Sequence, residues 1–105
     1  MLTACATEQE QPLTSISEDV VIIDVRDPQE FQQGHIPGAI LLPLDQLEDE
    51  IAYLIAAYDQ IINVYCRSGR RSAIAAEILH DMGYTAVYDL GGIIDWPGEI
   101  VIPGL

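Results

Sequence analysis

The sequence contains no lysine, and four arginines are its only permanently basic side chains. Against them stand 17 aspartates and glutamates, so the 105-residue chain has a formal net charge of −13 at pH 7. A protein of this charge repels DNA and RNA, because binding them requires neutralising their phosphates with basic groups. The same repulsion disfavours acidic membrane surfaces. We therefore expect neither nucleic acid nor a membrane surface as a partner of the folded domain.

Cysteine and histidine are also scarce, with two of each. His35 and His80 are far apart in the sequence, and no spacing typical of metal ligands occurs. Cys5 and Cys66 have different sequence contexts. The context of Cys66, described below, indicates a thiol that has to stay free, so a disulfide between the two cysteines is not expected. The sequence predicts neither a metal nor another cofactor.

The N-terminal residues resemble the end of a bacterial lipoprotein signal. In Leu2-Thr3-Ala4-Cys5 an apolar residue and two small ones precede the cysteine that would be acylated, but the long apolar segment expected before them is absent from the sequence. Two locations therefore stay open: the cytoplasm, or an extracytoplasmic lipoprotein with a lipid anchor at Cys5. We interpret residues 1–15 as a tail or tether and residues 16–105 as one folded domain.

Apolar runs rich in β-branched residues alternate with amphipathic stretches along this domain. The runs predict strands at 20–25, 39–42, 61–66 and 86–90, with a fifth, short edge strand at 13–16. Helices are expected between them, and the alternation is typical of an α/β fold around a central, mostly parallel sheet of four to five strands.

Two predicted helices begin with a capping box. In the first, Asp27 is the expected N-cap and Glu30 its partner, with Phe31 as a buried anchor. In the second, Asp45 is the expected N-cap. The apolar face of this second helix is predicted to comprise Leu47, Ile51, Leu54, Ile55 and Tyr58.

Cys66 lies between a predicted buried strand and the start of a predicted helix. It ends the predicted strand 61–66, and the polar loop after it leads into a helix. Unpaired backbone N–H groups and the dipole at a helix start favour an anion, and they favour thiolate over thiol. Three of the four arginines, Arg67, Arg70 and Arg71, lie within five residues of Cys66. Because arginine binds flat oxyanions through two hydrogen bonds at once, the pattern predicts a reactive thiolate in a pocket for a small anionic substrate.

Three stretches of the chain form a combination of motifs. The first contains Asp24-Val25-Arg26, Glu30-Phe31 and Gly34-His35-Ile36-Pro37-Gly38-Ala39; the second is Tyr65-Cys66-Arg67-Ser68-Gly69-Arg70-Arg71-Ser72; the third is Leu90-Gly91-Gly92 with Trp96. Together they resemble the rhodanese-like domain family. The resemblance covers about residues 20–101 and implies a three-layer α/β sandwich.

The resemblance also implies a sulfurtransferase without a cofactor. Cys66 would take the outer sulfur of an anionic donor such as thiosulfate, hold it as a persulfide and pass it to a thiol, cyanide or protein acceptor. The loop residues Arg67, Ser68, Gly69, Arg70 and Arg71 would bind the substrate, through backbone N–H groups and through the three guanidinium groups.

A structural role is implied for the charged residues of the first motif. Asp24, Arg26 and Glu30 are expected to support the scaffold, with Arg26 and Glu30 as a buried ion pair that holds the first strand to the first helix.

Two alternatives within the same fold stay open at this point. One is a phosphatase or arsenate reductase, which would need a wider loop than the four residues between Cys66 and Arg71. The other is a non-catalytic binding or redox-sensing module, whose cysteine would have an ordinary pKa.

Overall fold

A computed structural model of the protein describes residues 19–104. Cys5, the predicted strand at 13–16 and the predicted start of the domain at residue 16 lie outside these residues. Within them, four strands form one sheet in which every pairing is parallel. The strands are β1 (Val20–Asp24), β2 (Ile40–Leu41), β3 (Ile61–Cys66) and β4 (Ala86–Gly92), in the spatial order β2-β1-β3-β4.

In the same range of residues, three α-helices connect the strands: α1 (Pro28–Gln33), α2 (Leu44–Leu54) and α3 (Arg70–Asp81). A 3-10 turn follows β4 at Ile93–Asp95. Helices α2 and α3 pack against each other, and α3 also packs against β3 and β4. The predicted α/β sandwich around a parallel sheet is thereby confirmed. Since the carboxyl ends of parallel strands meet at one edge, the last residues of β1 and β3 lie side by side, with Asp24 opposite Tyr65.

The core lies between the sheet and its helices. Its fully buried side chains include Ile23 of β1, Ile62 and Val64 of β3, and Leu47 and Leu79 of the helices. Along β1 and β3 the buried residues of this face alternate with more exposed ones, and the other face is buried near the carboxyl ends of the strands, at Asp24 and Tyr65. The core thus fixes β3, the strand that ends in Cys66, at the centre of the sheet.

Helix α1 begins as predicted, but its anchor is not buried. The Asp27 carboxylate accepts from the Glu30 amide at 2.9 Å, and the Glu30 carboxylate accepts from the Asp27 amide at 3.2 Å, which completes the capping box. Phe31 is only partly buried and stacks on the His35 ring, with 3.7 Å between ring centroids. A six-residue helix at the rim of the sheet has no fully buried position to offer this ring.

Helix α2 differs from the prediction at both ends. It begins at Leu44, so Asp45 lies inside the helix and is not its N-cap. No side chain of residues 19–104 caps the helix start, and the Leu44 amide bonds instead to the carbonyl of Val25 at 3.1 Å. It ends at Leu54, after which Ile55 is extended and buried, and its carbonyl accepts from the Tyr84 hydroxyl at 2.6 Å. The predicted apolar face therefore stops short: Leu54, at the end of the helix, is 39% exposed, and Tyr58, beyond it, is 57% exposed.

Candidate active site

Cys66 is the last residue of β3, at the carboxyl edge of the sheet, and α3 begins four residues later at Arg70. Gly69, the residue before the helix, has φ of +104°, a left-handed conformation that favours glycine. In the part of the chain that the structure describes, no side chain caps this helix start. The sharp turn and the free helix terminus together direct backbone N–H groups at the cysteine sulfur.

The sulfur of Cys66 is surrounded by hydrogen-bond donors. The amide of Gly69 donates to Sγ at 3.0 Å, and the amide of Ser72 donates to it at 3.3 Å. The Ser72 hydroxyl oxygen lies 3.6 Å from Sγ, close enough to accept from the thiol or to donate to the thiolate. Since Cys66 is only 1% exposed, these groups take the place of water around the sulfur.

Two opposing effects determine the acidity of the Cys66 thiol. Burial by itself raises the pKa, because it disfavours the charged form. Hydrogen bonds from the Ser72 hydroxyl and from the amides of Ser72, Gly69 and Ser68 outweigh burial, so that the pKa is lowered from its ordinary value. The arrangement favours a buried thiolate, the reactive form of cysteine.

The loop after Cys66 packs against the end of β4. Cys66 lies opposite Gly92 in the sheet, and a Cβ atom at Gly92 would come within 2.3 Å of the Arg67 carbonyl oxygen and 2.6 Å of the Ser68 Cα. Only glycine fits this contact, although its backbone (φ −104°) is one that any residue adopts. Gly92 of the third motif therefore allows the loop to lie directly on the sheet.

The three arginines of the loop have different environments. Arg67 and Arg70 are exposed, and neither forms an ion pair with any residue between 19 and 104. Arg71 is partly buried and donates to the Glu30 carboxylate through both terminal nitrogens, at 2.8 and 3.0 Å. This hydrogen-bonded pair lowers the pKa of Glu30 to about 2 and raises that of Arg71. Among residues 19–104, Arg67 and Arg70 are thus the loop arginines whose guanidinium group is not held in an ion pair.

The predicted ion pair between Arg26 and Glu30 is wrong. Arg26 folds back onto Asp24, two residues earlier, with Nη2 at 2.6 Å from Oδ2, and it also donates to the Gly34 carbonyl at 2.8 Å. Asp24 and Arg26 are both buried, so this short-range pair satisfies both charges inside the protein. The Glu30 carboxylate binds Arg71 instead.

Asp24 also holds the neighbouring strand. The Tyr65 hydroxyl donates to Asp24 Oδ2 at 2.7 Å and accepts from the Ile36 amide at 3.1 Å. The ring of Tyr65 lies under the Arg26 guanidinium, 5.6 Å from its carbon. This buried network supports the residue immediately before Cys66.

Sequence reasoning gave no separate role to Ser72, which is fully buried and contacts the sulfur through both its amide and its hydroxyl. Its signal was available: a small hydroxyl residue in the first turn of the helix that follows the cysteine loop. Such a side chain points back towards the helix N-terminus, where the sulfur lies.

Fold and site together define an α/β protein with a buried cysteine of lowered pKa at a helix N-terminus. Residues 7–99 match the Rhodanese-like domain family. The chain is 45% identical over 73 residues to the thiosulfate sulfurtransferase PspE of Escherichia coli, covering 70% of each protein. It is 40% identical over 82 residues to the thiosulfate sulfurtransferase GlpE of Pseudoalteromonas translucida, covering 75% of this chain and 74% of that protein.

A solved structure described as a rhodanese with anions from E. coli superposes with a TM-score of 0.74 at 41% identity, covering 78% of this chain and 96% of that one. The chain belongs to the rhodanese-like domain family, and it is a transferase of the rhodanese type. Among residues 19–104, none of the helices is sufficiently long and apolar to span a bilayer.

Proposed function

We propose that this protein moves sulfane sulfur from an anionic donor such as thiosulfate to a nucleophilic acceptor, through a persulfide on Cys66. The observation that carries the proposal is the set of donors around Sγ: two amides at 3.0 and 3.3 Å and a hydroxyl oxygen at 3.6 Å. These donors stabilise a negative charge on sulfur both before and after the transfer.

In the first step the Cys66 thiolate attacks the outer sulfur of thiosulfate. An S–S bond forms to Cys66 while the bond between the two donor sulfurs breaks, and its electron pair leaves with sulfite. The enzyme then carries a persulfide anion, so one negative charge stays at the site throughout. No proton has to be removed by a neighbouring base, because the hydrogen bonds that lower the thiol pKa already favour the thiolate.

In the second step the acceptor attacks the outer sulfur of the persulfide. With cyanide, a C–S bond forms, the S–S bond to Cys66 breaks, and thiocyanate leaves while the thiolate is regenerated. With a thiolate acceptor, the same exchange produces a persulfide on the acceptor. The donor set that holds the first thiolate therefore also stabilises the leaving thiolate of this step.

Arg67 and Arg70 attract the donor dianion in this proposal. Both are exposed residues of the segment that follows Cys66, on a chain of net charge −13. Arg71 contributes its charge from within the ion pair with Glu30, and its interaction with the Cys66 thiolate raises the pKa of the Arg71 guanidinium further. Because Glu30 already occupies both terminal nitrogens of Arg71, this residue has less capacity to bind a phosphate group.

Intact-mass spectrometry after incubation with thiosulfate tests the proposal. The protein should gain the mass of one sulfur atom, and cyanide should remove it with formation of thiocyanate. Cys66→Ser should neither gain sulfur nor turn over, whereas the matched variant Cys5→Ser should do both. Sulfur gained by Cys66→Ser, or hydrolysis of a phosphate ester in place of sulfur uptake, would refute the proposed function.

A further inference from the structure

A groove of about 360 Å³ opens beside the cysteine loop. The residues that line it include Arg26, Glu30 and Gly34 from the first motif, and Arg67, Ile94 and Ile100 from later in the chain. The groove reaches the loop itself, since the Ile94 amide donates to the carbonyl of Arg67, the residue after Cys66, at 3.2 Å. We call this feature the mouth groove.

The mouth groove has an exposed apolar rim. Ile94 is 58% exposed and Ile100 is 39% exposed, and the next residues along the chain, Val101 and Ile102, are 39% and 45% exposed. A run of exposed branched apolar side chains beside a reactive group is typical of an interaction site rather than of a solvated surface.

This rim is held in position by backbone contacts. Val101 and His35 exchange two backbone hydrogen bonds, at 2.9 and 2.8 Å. Ile100 lies against Gly34 so closely that a Cβ atom at Gly34 would be 3.0 Å from its Cγ2. A preorganised apolar surface binds a partner with less loss of conformational entropy than a flexible one.

The charges of the mouth groove are paired except for one. Arg26 binds Asp24, and Glu30 binds Arg71. Within residues 19–104, Arg67 is the lining residue whose charge has no ion-pair partner. The groove therefore complements a ligand that combines an apolar side chain with a carboxylate.

We infer that the mouth groove receives the sulfur acceptor, and that this acceptor is a protein whose reactive cysteine is followed by an apolar side chain and a carboxylate. The inference rests on the proposed persulfide chemistry at Cys66. The acceptor thiolate attacks the outer persulfide sulfur, its apolar neighbour contacts Ile94 and Ile100, and its carboxylate binds Arg67. Cyanide is too small to contact the rim, so its reaction does not depend on the groove.

The test uses protein loaded with sulfur by thiosulfate and freed of excess donor. The probes are two blocked tripeptides, Cys-Ile-Glu and Cys-Gly-Gln, with free cysteine and cyanide as small acceptors. Sulfur transfer to Cys-Ile-Glu should be about tenfold faster than to Cys-Gly-Gln. The difference is expected because the isoleucine is partly buried against the rim and the glutamate forms an exposed ion pair with Arg67. Replacing only the glutamate by glutamine should slow transfer about threefold at low salt, and high salt should abolish that difference.

The double variant Ile94→Thr/Ile100→Thr keeps the branched shape of the side chains and removes their apolar ends. It should lose about tenfold in transfer to Cys-Ile-Glu while its reaction with cyanide and its loading by thiosulfate are unchanged. Ile61→Thr is the matched control, because Ile61 is 38% exposed at the opposite end of β3 from Cys66. This control should transfer sulfur to every acceptor like the parent protein.

Three results would overturn the inference. One is equal slowing of both tripeptides and cyanide by the double variant, which would assign the isoleucines to the scaffold. Another is transfer to free cysteine as fast as to Cys-Ile-Glu. The third is failure of the parent protein to load sulfur, which would refute the proposed function and the inference with it, whereas the first two leave the persulfide chemistry intact.

Discussion

Replacing Ser72 by alanine should make the Cys66 thiol less acidic without removing the rest of its environment. The substitution deletes the hydroxyl 3.6 Å from Sγ but keeps the Ser72 amide, which donates to the sulfur at 3.3 Å. The Gly69 amide at 3.0 Å is also kept. The pKa of Cys66 should therefore rise, while the remaining amides continue to oppose the effect of burial.

The magnitude follows from the geometry of the hydroxyl. A hydrogen bond to a charged group contributes about 1.5–3 kcal/mol. The Ser72 hydroxyl has only one proton, and the carbonyl oxygens of Gly69 and Gly91 compete for it at 3.1 and 3.4 Å. We therefore expect the loss of this hydrogen bond to cost the lower limit, about 1.5 kcal/mol. At a given pH, this free energy corresponds to a roughly tenfold smaller ratio of thiolate to thiol in the variant.

The rate of Cys66 alkylation by iodoacetamide, measured as a function of pH, reports this ratio. Because thiolate is the reacting form, the midpoint of the profile should move to higher pH in Ser72→Ala. Ser68→Ala is the control, since it removes an exposed hydroxyl but keeps the amide that helps to lower the pKa of Cys66. An unchanged midpoint in Ser72→Ala, or an equal displacement in the control, would refute the role assigned to this hydroxyl.

Three further substitutions test the surroundings of the site. Glu30→Gln should lower the free energy of unfolding by about 1–2 kcal/mol near neutral pH, because it removes the carboxylate partner of Arg71. In urea titrations this difference should be fully present above pH 4.5 and vanish as the pH falls towards 2, since the pair lowers the pKa of Glu30 from 4.5 to about 2; a difference independent of pH would contradict the ion pair. Gly92→Ala should lower the free energy of unfolding by about 1–3 kcal/mol in thermal denaturation and should also raise the Cys66 thiol pKa, because the added Cβ displaces the loop. An alkylation profile like that of the parent protein would contradict the role of this contact. Asp24→Ala should lower the free energy of unfolding in urea by about 3–5 kcal/mol, because it leaves the buried Arg26 without its ion-pair partner. A decrease below about 1 kcal/mol would contradict this role of Asp24.

Local patterns in the sequence were sufficient for the order of strands and helices. The continuous apolar run 20–25 can be buried only as a central strand, and the capping box of Asp27 and Glu30 depends on residues three apart. Helix α2 shows the limit of such patterns. Its first amide bonds to Val25 rather than to an Asp45 side chain, a contact that depends on how the end of β1 lies in the folded protein.

The sequence alone determined that Cys66 ends a strand before a helix, because apolar periodicity and the glycine of the loop act over a few neighbouring residues. Only the tertiary structure decided which charges pair. Glu30 is close to Arg26 in the sequence, within the first motif, but it binds Arg71, 41 residues away. This pair forms because the fold brings α1 to the start of α3. The tertiary structure also placed Ile94 and Ile100 beside Arg67. An ion pair or an apolar contact can form between residues at any distance along the chain. Which residues meet therefore depends on how the helices and strands pack in the folded protein.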